Sequence, residues 1–403
     1  MQPWAQVDVP KLPHSAGAPV IYDTQTQGLQ ELPTDRTGTL YVCGITPYDA
    51  THMGHAATYV AFDTLIRVWR ATGVDVEYTQ NITDVDDPLI ERALATGKDW
   101  QNIAIEQTAL FQSDMIALRV IPPQNYVGVV EAMDLIEQSV VALAAKGFAY
   151  KVDDDYYYDI SKSNMLGEVS HFSTEQMMII FAERGGDPNR VGKRNPFDPM
   201  LWRSRSGNDP YWPSELGEGR PGWHIECSAI ATHYLGQQID VQGGGSDLKF
   251  PHHEMSAAHA QSLTGVSPFA RNFMHAGMVA LDGEKMSKSL GNLVFVSKLR
   301  ASGVDPMAIR LTLLQHHYRS DWEWFASELD LATAKLAMWR SAFNQPVGAP
   351  NVVSDLIATL QQDLDTPAAI ALVDKWVAAT LSGEASAPTQ PMANAVDALL
   401  GII

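Results

Sequence analysis

Cysteine is almost missing from this chain, whose 403 residues include only Cys43 and Cys227. With so few thiols no disulfide framework can hold the fold together, and a bridge between the two is not expected in a reducing compartment. Packing in an apolar core and ligation of a metal remain as their roles. Both lie in runs rich in polar side chains, and residues 250–254 add imidazoles, so three distant segments could converge on one zinc ion.

Long apolar runs and an N-terminal targeting signal are also missing. No stretch approaches the ~18 consecutive apolar residues that cross a bilayer. The opening residues, Met-Gln-Pro-Trp-Ala, lack the basic start and apolar core of a secretory signal. We therefore expect a cytoplasmic protein without a membrane partner. At this length, a hydrophobic content of 45% predicts a globular chain of about two to three domains.

Positive charge is scarce as well, with 28 Lys and Arg against 47 Asp and Glu and a formal net charge of −19. A broad nucleic-acid-binding surface is therefore not expected, because binding a polyanion requires clustered cations. Residues 341–403 contain a single basic residue, Lys375, among six acidic ones. This segment should repel RNA.

The periodicity of apolar residues predicts a parallel α/β fold followed by a helical bundle. A strand at 38–43, a helix at 54–70 and a strand at 76–82 form a right-handed crossover unit. Other predicted elements of the α/β part are helices at 100–118, 126–146 and 251–263, a strand at 238–242 and a short strand region at 150–160. Predicted helices of the bundle lie near 305–317, 326–343, 351–363, 366–381 and 391–402.

Two motifs supply groups suited to phosphate. His52 and His55 lie at the mouth of the first helix, where the helix dipole and unpaired N–H groups favour anions, and Gly54 lets a ligand approach closely. The run Lys-Met-Ser-Lys-Ser at 285–289 places the ammonium groups of Lys285 and Lys288 in one loop, where they could clamp a polyphosphate. Surface histidines and a solvated loop are the alternatives, but finding both motifs in this order makes coincidence improbable.

These runs resemble the signature motifs of class I aminoacyl-tRNA synthetases: the first looks like HIGH, and the second matches KMSKS letter for letter. Runs that are similar to cysteinyl-tRNA synthetase lie at 41–49, 81–87, 219–228, 243–248 and 250–254. The resemblance covers about residues 38–320. It implies a Rossmann-like parallel-sheet catalytic domain with an insertion and a C-terminal helical bundle. The expected units are an N-terminal extension at 1–37, the two halves of the catalytic domain at 38–150 and 221–296, the insertion at 151–220 and the bundle at 297–403.

The resemblance also implies site residues. His52, His55, Lys285 and Lys288 would act on the phosphates of ATP, with Mg²⁺ accompanying the nucleotide, and Cys43, Cys227 and His252 would hold one Zn²⁺. Residues expected to contact the amino acid or its adenylate are Cys43, Gly44, Ile45, Thr46, Thr58, Asn81, Ile82, Thr83, Trp223, Gly245, Ser246, Asp247 and Val279. His224, His253 or Glu254 could supply a fourth metal ligand, although hydrogen bonding to the ligands is the commoner role. Asp84, Asp86 and Asp87 could contact substrate amines, but acidic residues that open a helix are more often caps.

Departures from the synthetase pattern favour a related family, the ligases of mycothiol synthesis that join cysteine to glucosaminyl-inositol. An anticodon-reading region does not follow the bundle, Thr-Pro-Tyr at 46–48 stands where the synthetase usually has Thr-Val-Tyr, and Ser256 takes the place of its glutamate zinc ligand. A run that resembles a ligase motif, and is expected to bind the acceptor, consists of Glu183, Arg184, Gly185, Gly186, Asp187 and Pro188.

The expected reaction is therefore ATP-dependent amide formation. Cysteine would be activated as cysteinyl-adenylate and transferred to the amine of glucosaminyl-inositol, with release of pyrophosphate and AMP and without tRNA. The alternatives are a truncated cysteinyl-tRNA synthetase and a catalytically silent binding protein.

Overall fold

The computed structural model describes most of the chain. The described residues are 1–13, 15, 17–49, 51–207, 209–281, 284–285 and 293–403, with only the backbone of 284–285. Lys288 and the rest of the 286–289 run lie outside them, and for Lys285 no side-chain position is described. None of the helices in these ranges combines the length and the apolar character that a membrane-spanning segment needs.

Strands and helices alternate through the first two thirds of the chain, and helices dominate the last third. The strands are β1 Val20–Asp23, β2 Gly28–Glu31, β3 Gly38–Val42, β4 Val76–Ile82, β5 Asn125–Gly128, β6 Ala149–Val152, β7 Asp155–Tyr158, β8 Met200–Ser204, β9 Gly219–Pro221, β10 Ile239–Gly245, β11 Ala270–Ala276, β12 Val279–Leu281, β13 Glu284–Lys285, β14 Trp322–Glu323, β15 Val347–Gly348 and β16 Ala387–Pro388. The helices are α1 Met53–Arg70, α2 Asp87–Thr96, α3 Trp100–Ala117, α4 Met133–Ala145, α5 Thr174–Glu183, α6 Trp223–Leu235, α7 Glu254–Thr264, α8 Val296–Ala301, α9 Pro306–Leu314, α10 Ala326–Phe343, α11 Val353–Gln361, α12 Thr366–Leu381 and α13 Gln390–Leu400.

A five-stranded parallel sheet forms the centre of the fold, in the order β11-β10-β3-β4-β5. The direction in which the chain adds strands reverses between β3 and β10. Tyr41 of β3 pairs with Gln242 of β10 on one side and with Thr79 of β4 on the other. In open parallel sheets a crevice forms outside the carboxyl ends of the strands at such a reversal. The topology therefore places a ligand site beyond Val42 and Gly245.

Helix α1 connects β3 to β4 and is buried on most of its circumference, because the sheet covers one side and the bundle helices α9, α11 and α13 cover another. In its second half it carries a buried ion network. Arg67 Nε donates to Asp63 Oδ2 at 2.7 Å, and Arg310 of α9 also donates to this carboxylate. Arg310 further donates to the carbonyl oxygens of Leu118 at 2.7 Å and Leu400 at 2.6 Å, so that it joins the bundle to α1 and to the end of α3.

Two smaller sheets flank this core. Strands β6 to β9 form an antiparallel sheet within the insertion, and α5 lies between β7 and β8 along the chain. The hairpin β1-β2 belongs to the N-terminal segment and packs against the edge strand β11. The bounds of the five predicted units stay predictions.

The structure confirms the parallel α/β fold and corrects several predicted elements. The helix predicted at 126–146 begins only at Met133, and residues 125–128 form β5 instead. The prediction failed because β5 is buried on the sheet, and a short apolar run has no period that separates strand from helix. Strands β1, β2 and β11 were not predicted. The predicted all-helical C-terminal region contains three two-residue strands, β14, β15 and β16.

Candidate active site

A crevice of about 360 Å³ opens at the carboxyl ends of β3 and β10, the place that the topology indicates. Such a volume is within the usual range for small-molecule sites. Predicted site residues that line it are Cys43, Gly44, Ile45, Thr46, His52, His55, Thr58, Arg184, Trp223, Gly245, Asp247 and Val279. Nine of the thirteen residues that were expected to contact the amino acid or its adenylate therefore lie together in this crevice.

Asn81, Ile82, Thr83 and Ser246 are not among the lining residues. Asn81 Oδ1 accepts the Gly44 N–H at 2.8 Å, and a Cβ atom on Gly44 would lie 1.6 Å from the Asn81 carbonyl oxygen. Only glycine therefore fits this close approach between the loop after β3 and the end of β4. Thr83 accepts from the Asn81 amide at 3.2 Å, and Ile82 is fully buried. These residues support the wall of the crevice from behind.

Two sulfurs and an imidazole meet at the inner end of the crevice. Of these three residues only Cys43 lines the crevice itself, and Cys227 and His252 are not among its lining residues. Cys43 follows β3, Cys227 lies on α6, and His252 lies in the turn that precedes α7. All three are buried, and their ligand atoms lie within 4.8 Å of one another. Cys43 Sγ lies 3.9 Å from Cys227 Sγ, and His252 Nε2 lies 3.2 Å from Cys227 Sγ.

This geometry fits a tetrahedral zinc ion. With bonds of about 2.3 Å to sulfur and about 2.0 Å to nitrogen, the two sulfurs would lie about 3.8 Å apart and a sulfur–nitrogen pair about 3.5 Å apart. The observed separations of 3.9 and 3.2 Å are close to these values. Thiolate and imidazole are also the donor types that zinc prefers.

The two thiols are coupled. Burial raises the pKa of Cys43, and the neighbouring Cys227 raises it further. Burial would also raise the pKa of Cys227, but the hydrogen bond from Cys43 and the adjacent His252 lower it well below its usual range. The pair therefore favours a state in which one sulfur is an anion held by the other thiol, which is a preformed ligand for a cation.

His252 is held in place by aromatic neighbours. Its ring stacks on that of Trp223, with centroids 4.4 Å apart, and its Nδ1 lies 3.0 Å from Nδ1 of His224. These contacts orient the other nitrogen, Nε2, toward Cys227. Burial lowers the pKa of His224 well below its ordinary value, so this partner is neutral. Hydrogen bonding to a ligand is the role expected for such a residue.

Glu254 and Ser256 are engaged elsewhere. The Glu254 carboxylate accepts backbone N–H groups of Gly167 at 2.7 Å, Val169 at 3.1 Å and Ser170 at 2.7 Å, and thereby fixes a loop of the insertion. Ser256 Oγ donates to the main-chain carbonyl oxygens of His252 at 2.7 Å and of His224 at 3.2 Å. Among the described residues, the buried donor set that could hold a metal consists of Cys43, Cys227 and His252.

The two histidines of the first motif lie at the start of α1. His52 Nδ1 accepts the Gly54 N–H at 3.1 Å, so the proton of the neutral ring is on Nε2, which is thereby a donor. The His55 ring stacks on that of His52 with centroids 3.8 Å apart. Both rings reach the crevice at a helix N-terminus, where an anion is favoured. Tyr59, one turn further on the same face, was not predicted; its hydroxyl donates to the Cys43 carbonyl oxygen at 3.1 Å.

The three aspartates before α2 have structural roles. Asp86 caps this helix by accepting the Asp87 N–H at 2.8 Å, and burial raises the pKa of Asp86 to about 6. Asp87 pairs with Arg220, and Asp84 accepts the Val130 N–H at 2.9 Å. The capping interpretation holds for Asp86, whereas Asp84 and Asp87 bond to Val130 and Arg220.

Of the predicted acceptor run, only Arg184 reaches the crevice. Its Nη1 donates to the Asp247 carbonyl oxygen at 3.0 Å. Gly185, with φ of 82°, ends α5, and Asp187 bonds to Tyr157 and, at 2.9 Å, to Lys193 inside the insertion. The other members of the run, Glu183, Gly186 and Pro188, do not line the crevice and belong to this helix end and turn.

Comparison with known proteins agrees with this geometry. Residues 30–335 match the family model of the class I (C) tRNA synthetase catalytic domain. The chain is 54% identical to L-cysteine:1D-myo-inositol 2-amino-2-deoxy-alpha-D-glucopyranoside ligase of Thermomonospora curvata and to the ligase of the same name of Kribbella flavida, over 100% of each pair of chains. These relatives bear the name of a ligase, which counts against the alternative of a truncated cysteinyl-tRNA synthetase.

Solved structures show the same fold in more distant proteins. A Mycobacterium tuberculosis methionyl-tRNA synthetase in complex with methionyl-adenylate superposes with a TM-score of 0.61 and 18% identity, covering 91% of this chain and 88% of that one. For the leucyl-tRNA synthetase in a ternary complex from Agrobacterium radiobacter the TM-score is 0.64 at 11% identity, covering 91% and 83%. The chain thus belongs to the class I tRNA synthetase family and, within it, to the L-cysteine:1D-myo-inositol 2-amino-2-deoxy-alpha-D-glucopyranoside ligases.

Proposed function

We propose that this chain is an ATP-dependent, AMP-forming carbon–nitrogen ligase that acts in mycothiol synthesis. It activates L-cysteine as cysteinyl-adenylate and joins it to the amine of glucosaminyl-inositol. The observation that carries the proposal is the buried group Cys43, Cys227 and His252 at the inner end of a crevice that also contains His52 and His55, in a chain 54% identical to ligases of that name. It provides a site for the thiol beside a site for phosphates.

The reaction consists of two displacements. In the first, the carboxylate of cysteine attacks the α-phosphorus of ATP and pyrophosphate leaves. In the second, the acceptor amine attacks the carbonyl carbon of the adenylate, AMP leaves, and the amine loses a proton. His52 Nε2–H and His55 stabilise the negative charge at the α-phosphate, and Lys285 and Lys288 act on the departing pyrophosphate. Mg²⁺ accompanies ATP as in this family generally.

Selection of cysteine over serine requires more than shape, because a pocket alone separates such close analogues by about 10–200-fold. We assign one Zn²⁺ to Cys43, Cys227 and His252; when bound, it supplies a soft Lewis acid that prefers a thiolate to a hydroxyl. Trp223 packs on His252 and forms the crevice wall beside this group. This position next to the crevice supports a role of the group in recognising the side chain of a bound amino acid.

The acceptor would bind on the insertion side of the crevice. Arg184 is the member of the predicted run that lines it, and Asp247, whose carbonyl oxygen accepts from Arg184, lines it as well. A guanidinium group donates several hydrogen bonds, which suits the hydroxyl groups of an amino sugar and an inositol. We therefore assign the acceptor contact to Arg184 and not to the turn that follows it.

The choice of acceptor decides between this proposal and its rivals. The protein is incubated with ATP and cysteine and offered either glucosaminyl-inositol or tRNA. Expected products are AMP and the amide, identified by mass, with no charged tRNA. Charging of tRNA would favour a synthetase, and the absence of cysteine-dependent pyrophosphate exchange would favour a silent binding protein.

The roles in adenylation can be tested separately by pyrophosphate exchange without acceptor. We expect His55→Ala and Lys288→Ala to lower the exchange rate by about 10²–10³, the usual loss when one transition-state donor is removed. His233→Ala, on the outer part of α6, is the matched control and should exchange at the wild-type rate. Near-normal exchange in both test variants would contradict the assigned roles.

The acceptor assignment has its own readout. Arg184→Ala should raise the KM for glucosaminyl-inositol while leaving cysteine-dependent exchange near the wild-type rate. Arg205→Ala serves as control, because Arg205 pairs with Glu218 on an exposed part of the insertion. Equal KM values in the two variants would remove Arg184 from the acceptor site.

A further inference from the structure

A buried chain of hydrogen bonds runs from the sulfur of Cys43 to the N-terminal hairpin. His253 Nε2 lies 3.3 Å from Cys43 Sγ, His253 Nδ1 lies 2.8 Å from His275 Nε2, and His275 Nδ1 lies 2.7 Å from Thr24 Oγ1. All four residues are buried. Hydrogen bonding to a ligand was one of the roles expected for His253, whereas His275 and Thr24 were not predicted to take part.

The direction of the chain follows from the chemistry of its ends. A metal-bound cysteine is a thiolate, which only accepts hydrogen bonds, so His253 must donate from Nε2. Its Nδ1 is then an acceptor, which requires the proton of His275 on Nε2. The remaining nitrogen of His275 accepts from the Thr24 hydroxyl. One tautomer of each ring satisfies every contact.

The hairpin turn that carries Thr24 is fixed to the edge of the central sheet. Thr24 N–H donates to the Phe273 carbonyl oxygen at 2.9 Å, and Phe273 N–H donates to Asp23 Oδ1 at 2.7 Å. Thr24 precedes residue 30, where the match to the synthetase family model begins. A segment outside the shared catalytic domain therefore reaches the sulfur of Cys43 through two imidazoles.

We propose that Thr24 is a positioning residue for the metal group: through His275 it holds His253 in the tautomer that donates to the Cys43 thiolate. A ring nitrogen that donates its proton to the sulfur cannot bind the metal at the same time. His253 thereby stabilises the anion as a hydrogen-bond donor and leaves metal ligation to Cys43, Cys227 and His252. This inference rests on the proposed metal site.

The test measures Co²⁺ binding to the full chain without substrates, by competition with a chromophoric chelator and by the sulfur-to-cobalt charge-transfer band. Thr24→Val removes the hydroxyl at nearly constant shape. We expect about 10-fold weaker binding, the lower end of the usual effect of losing an outer partner of a ligand, and a shifted band. Thr24→Ser should restore both, and Thr26→Val, on the exposed part of the same hairpin, should match the wild type.

Thr24→Ala, which removes the same hydroxyl, replaces Thr24→Val throughout if that variant folds poorly, and a second substitution tests whether Thr24 acts through His275. His275→Leu removes both ring nitrogens and with them the link between Thr24 and His253, so adding Thr24→Val to it should not weaken Co²⁺ binding further. An equal loss in both backgrounds, or identical binding by Thr24→Val and Thr26→Val, overturns the inference while the metal site stands. Failure of the wild type itself to bind Co²⁺ would instead refute the proposed metal site.

Discussion

Helix α1 lies next to two buried polar clusters, one at its beginning and one in its second half, and the two clusters differ in how their members are paired. Beside its start lie Cys43, Cys227 and His252, which converge on one point. In its second half lie Asp63 and Arg67, which bind each other and Arg310. Both clusters are as buried as the apolar core, so burial alone does not distinguish them.

Their charges differ. Burial would raise the pKa of Asp63, but Arg310 and Arg67 overcome it and lower this pKa below its usual range, so the network is ionised and internally paired. Around the sulfurs, burial lowers the pKa of His224, His253 and His275 well below the ordinary value, so these rings are neutral. Neutral imidazoles and a thiolate are the forms that bind metal. Donors that satisfy one another hold a fold together, whereas donors that converge without an opposite charge can serve a bound cation.

The largest expected effect is a loss of stability when the ion network of Asp63, Arg67 and Arg310 is broken. Arg310→Met leaves Asp63 without one of its two cations, and removing one partner of a buried ion pair costs about 3–5 kcal/mol. Unfolding in urea should show this loss. Arg205→Met is the control, since both this side chain and its partner Glu218 are exposed, and it should change stability by no more than about 0.5 kcal/mol. Equal stability of the two variants would show that the network does not hold the bundle to α1.

The next effect is on metal binding and adenylation, and not on folding. Cys227→Ser replaces a soft ligand by a hard one, so metal content should fall, and cysteine-dependent pyrophosphate exchange should fall by more than about 100-fold, because even outer partners of a ligand contribute roughly 10–100-fold. Metal analysis and exchange measure the two quantities. Ser256→Ala should retain both, since the Ser256 hydroxyl donates to the main-chain carbonyl oxygens of His252 and His224 and not to a metal-ligating atom. Full metal content in Cys227→Ser would contradict the assignment.

The smallest effect concerns pH. Burial lowers the pKa of His259 to about 3, and among the described residues neither ring nitrogen has a hydrogen-bond partner. Between pH 6.5 and about 3 the unfolded chain binds a proton on this ring and the folded chain does not, so acid favours unfolding. His259→Leu removes this uptake and should stabilise the protein relative to wild type by up to about 2 kcal/mol at pH 5.

Urea unfolding at pH 7 and pH 5, with matched metal content, measures the difference. His233→Leu is the control, because His233 is exposed on α6. A pH dependence of His259→Leu that equals that of wild type would show that the ring is already protonated in the folded protein.

Helices and strands were predicted best where the hydrophobic period and the residues that end an element indicate the same bounds. Helix α10 was predicted at 326–343 and α12 at 366–381, which are their observed bounds, because each has a clear apolar face and a residue that stops it. Strands β5 and β11 were missed, since they are buried on the sheet and carry no alternation. With β11 missing, His275 could not be placed near Cys43.

The candidate site was predictable to the extent that its chemistry restricts residue type. Thiolates, imidazoles and a helix-opening His pair stand out in a chain with two cysteines, and the structure brings them to one crevice. The run at 183–188 was less informative, because Gly-Gly-Asp-Pro is also ordinary turn chemistry, and only Arg184 faces the crevice.

By itself the sequence determined the family, the α/β class and the identity of the groups that meet metal and phosphate, since these depend on residue type and local order. Only the tertiary structure decided which donors are satisfied by the chain. Glu254 closes an insertion loop, Ser256 donates to the His224 carbonyl oxygen on α6, and Thr24 reaches Cys43 through two histidines. Such contacts join residues far apart along the chain, and their geometry depends on how the strands and the hairpin pack.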